Sequence, residues 1–370
     1  MNLIFITIDG ARVDRIIHGN FYKKLIDKSA FFSKTITYAP YTIGAMHAIF
    51  SGTYGNKSGV DSYWSTSNFK KNQYKTLVKY LHDTEYTTIG DSINKLILPK
   101  DGFDELTIHD EVNDDLTQRH LLLLSNAEKL KSDGKKFFLY LHYSNIHTGI
   151  MQQVLKKYDN FSKEYFSNKN ENAKFYDTLF KNADKYLETV ITECEKLCLT
   201  DDTLIVVISD HGISIGEKLG ERAYGVFCYD YTLNATSLFF HKSLSTKFIK
   251  NQVRSIDILP TILDILKIPT DPNYEKFDGQ SLIPILNGDT TPRIAFSQSG
   301  NPLDSGKPPK EPNVWAVRTD GWKFILNIHD GTEELYDLQN DPNELDNLID
   351  IKAKTATKLR LKLKELAVNN

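Results

Sequence analysis

The sequence predicts an α/β fold: a doubly wound, mostly parallel sheet with helices on both faces, then a small antiparallel β subdomain and a terminal helix. Three observations predict it. Near-continuous apolar runs, Leu3 to Ile8 and Leu204 to Ile208, stop abruptly at polar residues, as parallel strands buried on both faces do. Strand-like and helix-like segments alternate through most of the chain. Beyond residue 290 the texture changes to short β-like runs.

In chain order, strands are expected at 3–8, 86–90, 136–143, 203–209 and 236–241, where apolar residues run together over strand length. Helices are expected at 20–28, 43–51, 74–83, 116–132, 172–199 and 255–266, where apolar residues recur at helical spacing, with Ser255 placed to cap the last. Arg293 to Gln298, Val314 to Arg318 and Trp322 to Ile328 read as short strands, separated by the Pro-rich stretch 302–312 and by Asp330-Gly331. The closing basic stretch, Lys352 to Lys364, carries Leu359, Leu363 and Leu366 at helical spacing and reads as a surface helix docked by its leucines. A catalytic domain is therefore expected at 1–290 and a subdomain packed on it at 291–370.

A chain of 370 residues can bury a large core. Its formal net charge of -3 gives no electrostatic footprint for nucleic acid, so the substrate has to be argued from the site. Cys194, Cys198 and Cys228 form no disulfide or metal framework and read as packing residues of a reducing compartment. No basic signal-peptide region precedes Leu3, and no apolar run reaches the roughly 18 residues of a membrane span. The expectation is a cytoplasmic protein without a transmembrane segment; its oligomeric state stays open.

Ligands in open α/β sheets collect beyond the carboxyl ends of the strands. Two strand ends there offer metal-ligand residues: Asp9 after the first, Asp210 and His211 after the run at 204–208. A third piece runs from Ala39 to Gly52. Pro40 breaks the preceding segment, helical spacing begins at Ile43, and Thr42 falls at or just before the first turn. Free N–H groups at a helix start favour an anion, and they would hold it beside the Thr42 hydroxyl. That hydroxyl is either a helix cap or a nucleophile; as a nucleophile it needs activation, which a cation held by Asp9, Asp210 and His211 would supply.

These residues and their order resemble the sulfatase family of the alkaline phosphatase superfamily over nearly the whole chain. Leu3 to Arg12 looks like that family's first strand with its metal Asp and following Arg. Thr42 lies ten residues before Gly52, which is similar to the spacing from the family nucleophile to the end of its helix. Phe137 to His147 resembles the strand that delivers a substrate-contacting His, and Ser209-Asp210-His211-Gly212 with Gly216-Glu217-Lys218 resembles the second metal motif. Asp257 to Asp264, Gly279 to Leu286, Trp322-Lys323 and Leu335 to Glu344 resemble the C-terminal signature. The resemblance implies an alkaline phosphatase-like fold and a metal-dependent hydrolase of ester bonds.

The chain departs from the sulfatase pattern where formylglycine is made, with Thr42, Gly44 and Met46 in place of Cys/Ser-x-Pro-x-Arg, and Gly10 stands for the second Asp of the usual pair. Formylglycine is therefore not expected. A threonine here resembles instead the phosphodiesterases, phosphonate monoester hydrolases and the phosphoethanolamine and phosphoglycerol transferases. The resemblance implies Asp9, Thr42, Asp210 and His211 as ligands of one divalent metal, with manganese or zinc favoured by the donor set and calcium left open. It implies Thr42 as nucleophile, His147 as substrate contact or leaving-group acid, and Lys218, with Arg222 as the poorer choice, as anion clamp.

Their spacing from Thr42 and His147 assigns His47 and His142 to faces away from the site, and Lys323 and Trp322 read as structural. The aromatics of the 150–200 insertion, Tyr158, Phe161, Tyr165, Phe166, Phe175 and Tyr176, read as packing. The expected activity is cleavage of a phosphodiester or phosphonate monoester through a covalent Thr42 intermediate, on a small-molecule or glycan-linked ester. Phospho-group transfer to a glycan or envelope precursor, sulfate ester hydrolysis without formylglycine, and a non-catalytic binding module are the alternatives.

Overall fold

In the computed structural model, which describes residues 1–303 and 306–368, nine strands form one sheet. Residues 304, 305, 369 and 370 of the expected C-terminal subdomain lie outside the described residues. In chain order the strands are Asn2–Ile8 (β1), Ala30–Ile36 (β2), Tyr86–Ser92 (β3), Glu105–Ile108 (β4), Lys136–Tyr143 (β5), Thr203–Ile208 (β6), Asn234–Phe240 (β7), Lys247–Ile249 (β8) and Val253–Arg254 (β9). Their spatial order is β4-β3-β5-β1-β6-β7-β2-β8, with β9 also on β2. All pairings are parallel except those of β7 with β6 and with β2.

The apolar runs are central because both faces of the sheet are covered. Along β1, Ile4, Ile6 and Ile8 face a layer that includes Leu124 of the helix Leu116–Ser132 and Tyr186 and Leu187 of the helix Lys169–Lys196. The alternate residues Leu3 and Phe5 face Met46, Ile49 and Phe50 of the helix Thr42–Ser51 and Ile262 of the helix Ile258–Leu266. Every β1 residue is buried, which is why the strand shows no polar alternation in the sequence.

A second, four-stranded antiparallel sheet follows in the order Ala295–Ser299 (β10), Val314–Arg318 (β11), Trp322–Asn327 (β12) and Thr332–Asp337 (β13). The terminal helix Ala353–Val368 docks on it through Leu359 and Leu363, against Phe296, Val317 and Phe324. Lys323 is buried as a structural charge: its ammonium lies 2.5 Å from Asp230 and 2.8 Å from Glu344, and Arg318 pairs with Asp230 at 2.7 Å. The sheet is thereby tied to the segment that leads into β7.

Several sequence expectations need correction. Strands β2, β4, β8, β9 and β13 were not among those expected. Ser255 does not cap the helix after it, which has no side-chain cap; Asp257 instead closes the short turn before it, accepting from Arg254 N at 2.9 Å, and the Ser255 hydroxyl is buried without a hydrogen bond. Cys198 is exposed rather than packed, while Cys194 and Cys228 are buried. No helix among the described residues is long and apolar enough to cross a membrane.

Candidate active site

β1 and β6 run side by side in parallel register, Thr7 opposite Ile208, so Asp9 and Asp210-His211 emerge at the same edge of the sheet. The chain turns there because of two glycines. Gly10 takes φ +72°, a conformation costly for other residues, and its N–H donates to Asp210 Oδ1 at 3.1 Å. A side chain at position 10 would also meet Ile213, 2.9 Å from the nearest Cβ position, so a second Asp here would require the Ile213 side chain to shift. Gly212 lies against the Tyr231 carbonyl, where a Cβ would come within 2.2 Å of its oxygen, and this close approach packs the His211 turn onto the next segment.

Thr42 is the first residue of its helix, with Tyr41 before it in an extended conformation and no side chain capping the helix. The cap reading for Thr42 therefore fails, and its hydroxyl is free to face the strand ends. Thr42 Oγ1 donates to Asp9 Oδ2 at 3.3 Å and lies 3.3 Å from His211 Nε2. His211 Nδ1 is 2.8 Å from the Gly212 carbonyl, which can only accept, so the ring proton sits on Nδ1 and Nε2 presents a lone pair to the site.

Asp9, Asp210 and His211 are buried and bring one ligand atom each within 4.8 Å of one another. Asp9 Oδ1 and Asp210 Oδ2 are buried with no hydrogen-bond partner, an arrangement that costs free energy unless a cation meets them. Burial pushes the Asp9 carboxyl up, but His147, His142 and His211 outweigh it and hold the group well below the usual carboxylate range. Burial and the neighbouring Asp9 charge push Asp210 up. Two carboxylates, an imidazole lone pair and a hydroxyl converging on one point fit a divalent cation that takes oxygen and nitrogen donors.

A cavity of about 210 Å³ opens beside Thr42 and is also lined by Asp9, Tyr63, Glu111, His147 and Tyr224. His147 enters it from the short helix Asn145–Ile150 that follows β5. Its Nδ1 is 3.2 Å from the Tyr224 hydroxyl and 4.0 Å from Asp9 Oδ2, and its Nε2 is 3.9 Å from Glu111 Oε2. The structure thus brings together Asp9, Thr42, His147, Asp210 and His211.

Lys218 and Arg222 do not line this cavity. The Lys218 ammonium hydrogen-bonds the Glu344 carbonyl and sits over the Tyr229 ring, 4.7 Å from its centre, and Arg222 donates to Asn160 Oδ1 at 2.6 Å. His142 is the opposite case and corrects the face expected for it. It pairs with Thr7 across the β1–β5 ladder, shares a face with Phe138 and Tyr140, and places Nε2 3.2 Å from Asp9 Oδ2. That register is the signal that would have found it. His47 is structural as expected, bonded to the Leu96 carbonyl and held down to about 4 by burial. Glu111, Tyr63 and Tyr224 come from loops and carried no motif. The insertion aromatics mostly pack, Tyr176 bridging Gly10 O and Arg12 N at 2.8 Å each, while Phe161 is exposed.

A family model described as Sulfatase matches residues 2–268, and one described as N-sulphoglucosamine sulphohydrolase, C-terminal, matches residues 237–369. Arylsulfatase K of Rattus norvegicus is 27% identical over 229 residues, covering 60% of this chain and 39% of that protein, so the match spans well under half of the relative's length. Among solved structures, a phosphonate monoester hydrolase from Silicibacter pomeroyi superposes with a TM-score of 0.73 at 17% identity, covering 99% of this chain and 94% of that one. A 2-O GAG sulfatase superposes with a TM-score of 0.75 at 18% identity, covering 99% and 90%. These last two likenesses are of fold.

Proposed function

The chain belongs to the sulfatase family, and from that premise we propose that it hydrolyses a phosphodiester or phosphonate monoester through a covalent ester on Thr42. The observation that carries this reading is the Thr42 hydroxyl, unused as a helix cap and poised between Asp9 Oδ2 and His211 Nε2. Asp9, Asp210 and His211, with Thr42, would hold the divalent cation. When bound, that cation supplies neutralisation of the substrate's oxygens and a lowered pKa for the Thr42 hydroxyl. Manganese or zinc is our preferred identity.

Thr42 Oγ1 attacks phosphorus in line with the leaving oxygen; the new bond forms as the bond to the leaving group breaks. The hydroxyl proton, directed at Asp9 Oδ2 in the resting site, passes to solvent, because Asp9 is held ionised. His147 protonates the departing oxygen, oriented by the Tyr224 hydroxyl on its Nδ1. In the second half His147 takes a proton from water as that water attacks the same phosphorus, the bond to Thr42 breaks, and a proton from solvent restores the hydroxyl. We assign this chemistry to residues 1–290, with 291–370 as a packed subdomain, and place it in the cytoplasm on the strength of the unpaired cysteines.

Sulfate ester hydrolysis is the second reading, favoured by the name of the curated relative. Threonine disfavours it chemically. A threonine carbon bears a single hydroxyl, so its ester cannot collapse by elimination and must be opened by water at the central atom. Intact-protein mass spectrometry after rapid acid quench with a phosphonate monoester tests the reading: a mass gain mapped to the Thr42 peptide is expected, and steady-state turnover with an unmodified Thr42→Ala-sensitive site would count against it.

A further inference from the structure

Two carboxylates, Asp9 and Glu111, line the cavity beside Thr42, with His147 Nε2 3.9 Å from Glu111 Oε2. The cavity lining includes no lysine or arginine, although the proposed substrate is an anion. It does include Glu111, whose Oε2 accepts from Thr148 Oγ1 at 3.2 Å and whose carboxylate is close enough to Tyr224 to act on that phenol's charge. Two aromatic rings face the same space. Tyr63 is stacked on Tyr41 at 4.2 Å, and Tyr224 is held against His211 at 5.0 Å between ring centres. Ile93 and Ile97 complete an apolar wall.

A second negative charge on the substrate would meet the Glu111 carboxylate in a confined space and be repelled. A neutral group would strip water from that carboxylate without replacing it. A cationic nitrogen satisfies the carboxylate and gains from the tyrosine faces. The volume, about 210 Å³, is below that of pockets for drug-sized ligands and suits a small leaving group.

We propose that Glu111, Tyr63 and Tyr224 form a leaving-group subsite for a positively charged nitrogen, an alkylammonium or a protonated amine, and that Glu111 sets this specificity. The proposal rests on the ester-hydrolase reading of the same site. The anion is held at Thr42 and the strand ends, and the cation of the same small molecule lies against Glu111.

Three alcohols of similar size test it, each as a methyl phosphodiester and as a sulfate monoester: choline, its uncharged isostere 3,3-dimethylbutanol, and an anionic alcohol, 4-hydroxybutanoate. The expected kcat/KM for the choline ester exceeds that of the neutral ester by about tenfold or more, with the anionic ester slowest, and Glu111→Gln collapses the ratio. Equal kcat/KM for choline and neutral esters in the unaltered protein overturns the subsite while leaving ester hydrolysis standing. A Glu111→Gln variant that slows all three esters alike also overturns it, since that would make Glu111 a support for His147. If no ester is turned over, the hydrolase reading itself fails, and titration with tetramethylammonium followed by NMR decides the subsite: saturable binding lost in Glu111→Gln sustains it, and no binding overturns it.

Discussion

Asp9 and Asp210 leave neighbouring parallel strands at the same sheet edge, and each keeps one buried carboxylate oxygen, Oδ1 and Oδ2 respectively, without a hydrogen bond. A cation between the two acids would satisfy both oxygens and offset the cost of burying Asp210 beside Asp9. Chelation is therefore expected to lower the melting temperature, and returning a divalent cation at a hundredfold excess over its Kd restores about 2.7 kcal/mol. In the chelated protein Asp210→Asn removes the group that burial and Asp9 push up. It should melt above the unaltered protein at pH 7, with the difference vanishing as the pH falls and Asp210 takes up its proton. Calorimetry with and without chelator checks both.

Glu221 gives a pH dependence away from the metal ligands. Burial pushes its carboxyl up to about 7, although Val226 N and Phe227 N donate to Oε1 at 2.8 and 3.0 Å. The folded state then binds the proton more tightly than the unfolded chain, so this group's contribution is favourable at low pH and declines as pH rises from the ordinary glutamate range through about 7. Glu221→Gln keeps the accepting oxygen. It should match the unaltered protein near pH 4 and be more stable near pH 8, as read from denaturant midpoints.

The buried cluster of Asp230, Arg318, Lys323 and Glu344 joins the antiparallel sheet to the rest of the molecule. Asp230→Ala leaves two buried cations short of a partner and should cost about 3–5 kcal/mol. Urea unfolding measures it. A loss below about 1 kcal/mol would mean that the cluster tolerates rearrangement.

Much of this architecture was legible because strand ends and ligand residues coincide in sequence. β1 and β6 are apolar over most of their length, and Asp9, Asp210 and His211 stand at or just past their ends. The missed strands lack that signature. β2 begins Ala30-Phe31-Phe32 and then shifts register before Thr35, which breaks its alternation, and β13 reads Thr-Glu-Glu-Leu-Tyr-Asp, a partly exposed edge strand. At the site, Thr42 was legible from its place at a helix start. His142 was not, because its face depends on pairing with β1, and Glu111, Tyr63 and Tyr224 reach the cavity from segments far apart in sequence.

His147 as a leaving-group acid has a kinetic signature. Its replacement by alanine should cost about 10²–10⁴-fold on alkyl esters, whose leaving oxygen needs the proton. The loss should be much smaller on p-nitrophenyl esters, whose leaving group departs as an anion. Equal losses on both would assign His147 to binding alone.

The central claim is that Thr42 is the nucleophile of an ester hydrolase. Its most direct test is the turnover of matched p-nitrophenyl esters, a phosphodiester, a phosphonate monoester, a phosphate monoester and a sulfate, by protein stripped of metal and refilled with manganese, zinc or calcium, beside Thr42→Ala. The expected result is diester or phosphonate cleavage that exceeds sulfate cleavage and falls by about 10³-fold or more in Thr42→Ala. Cleavage that survives Thr42→Ala would contradict the account.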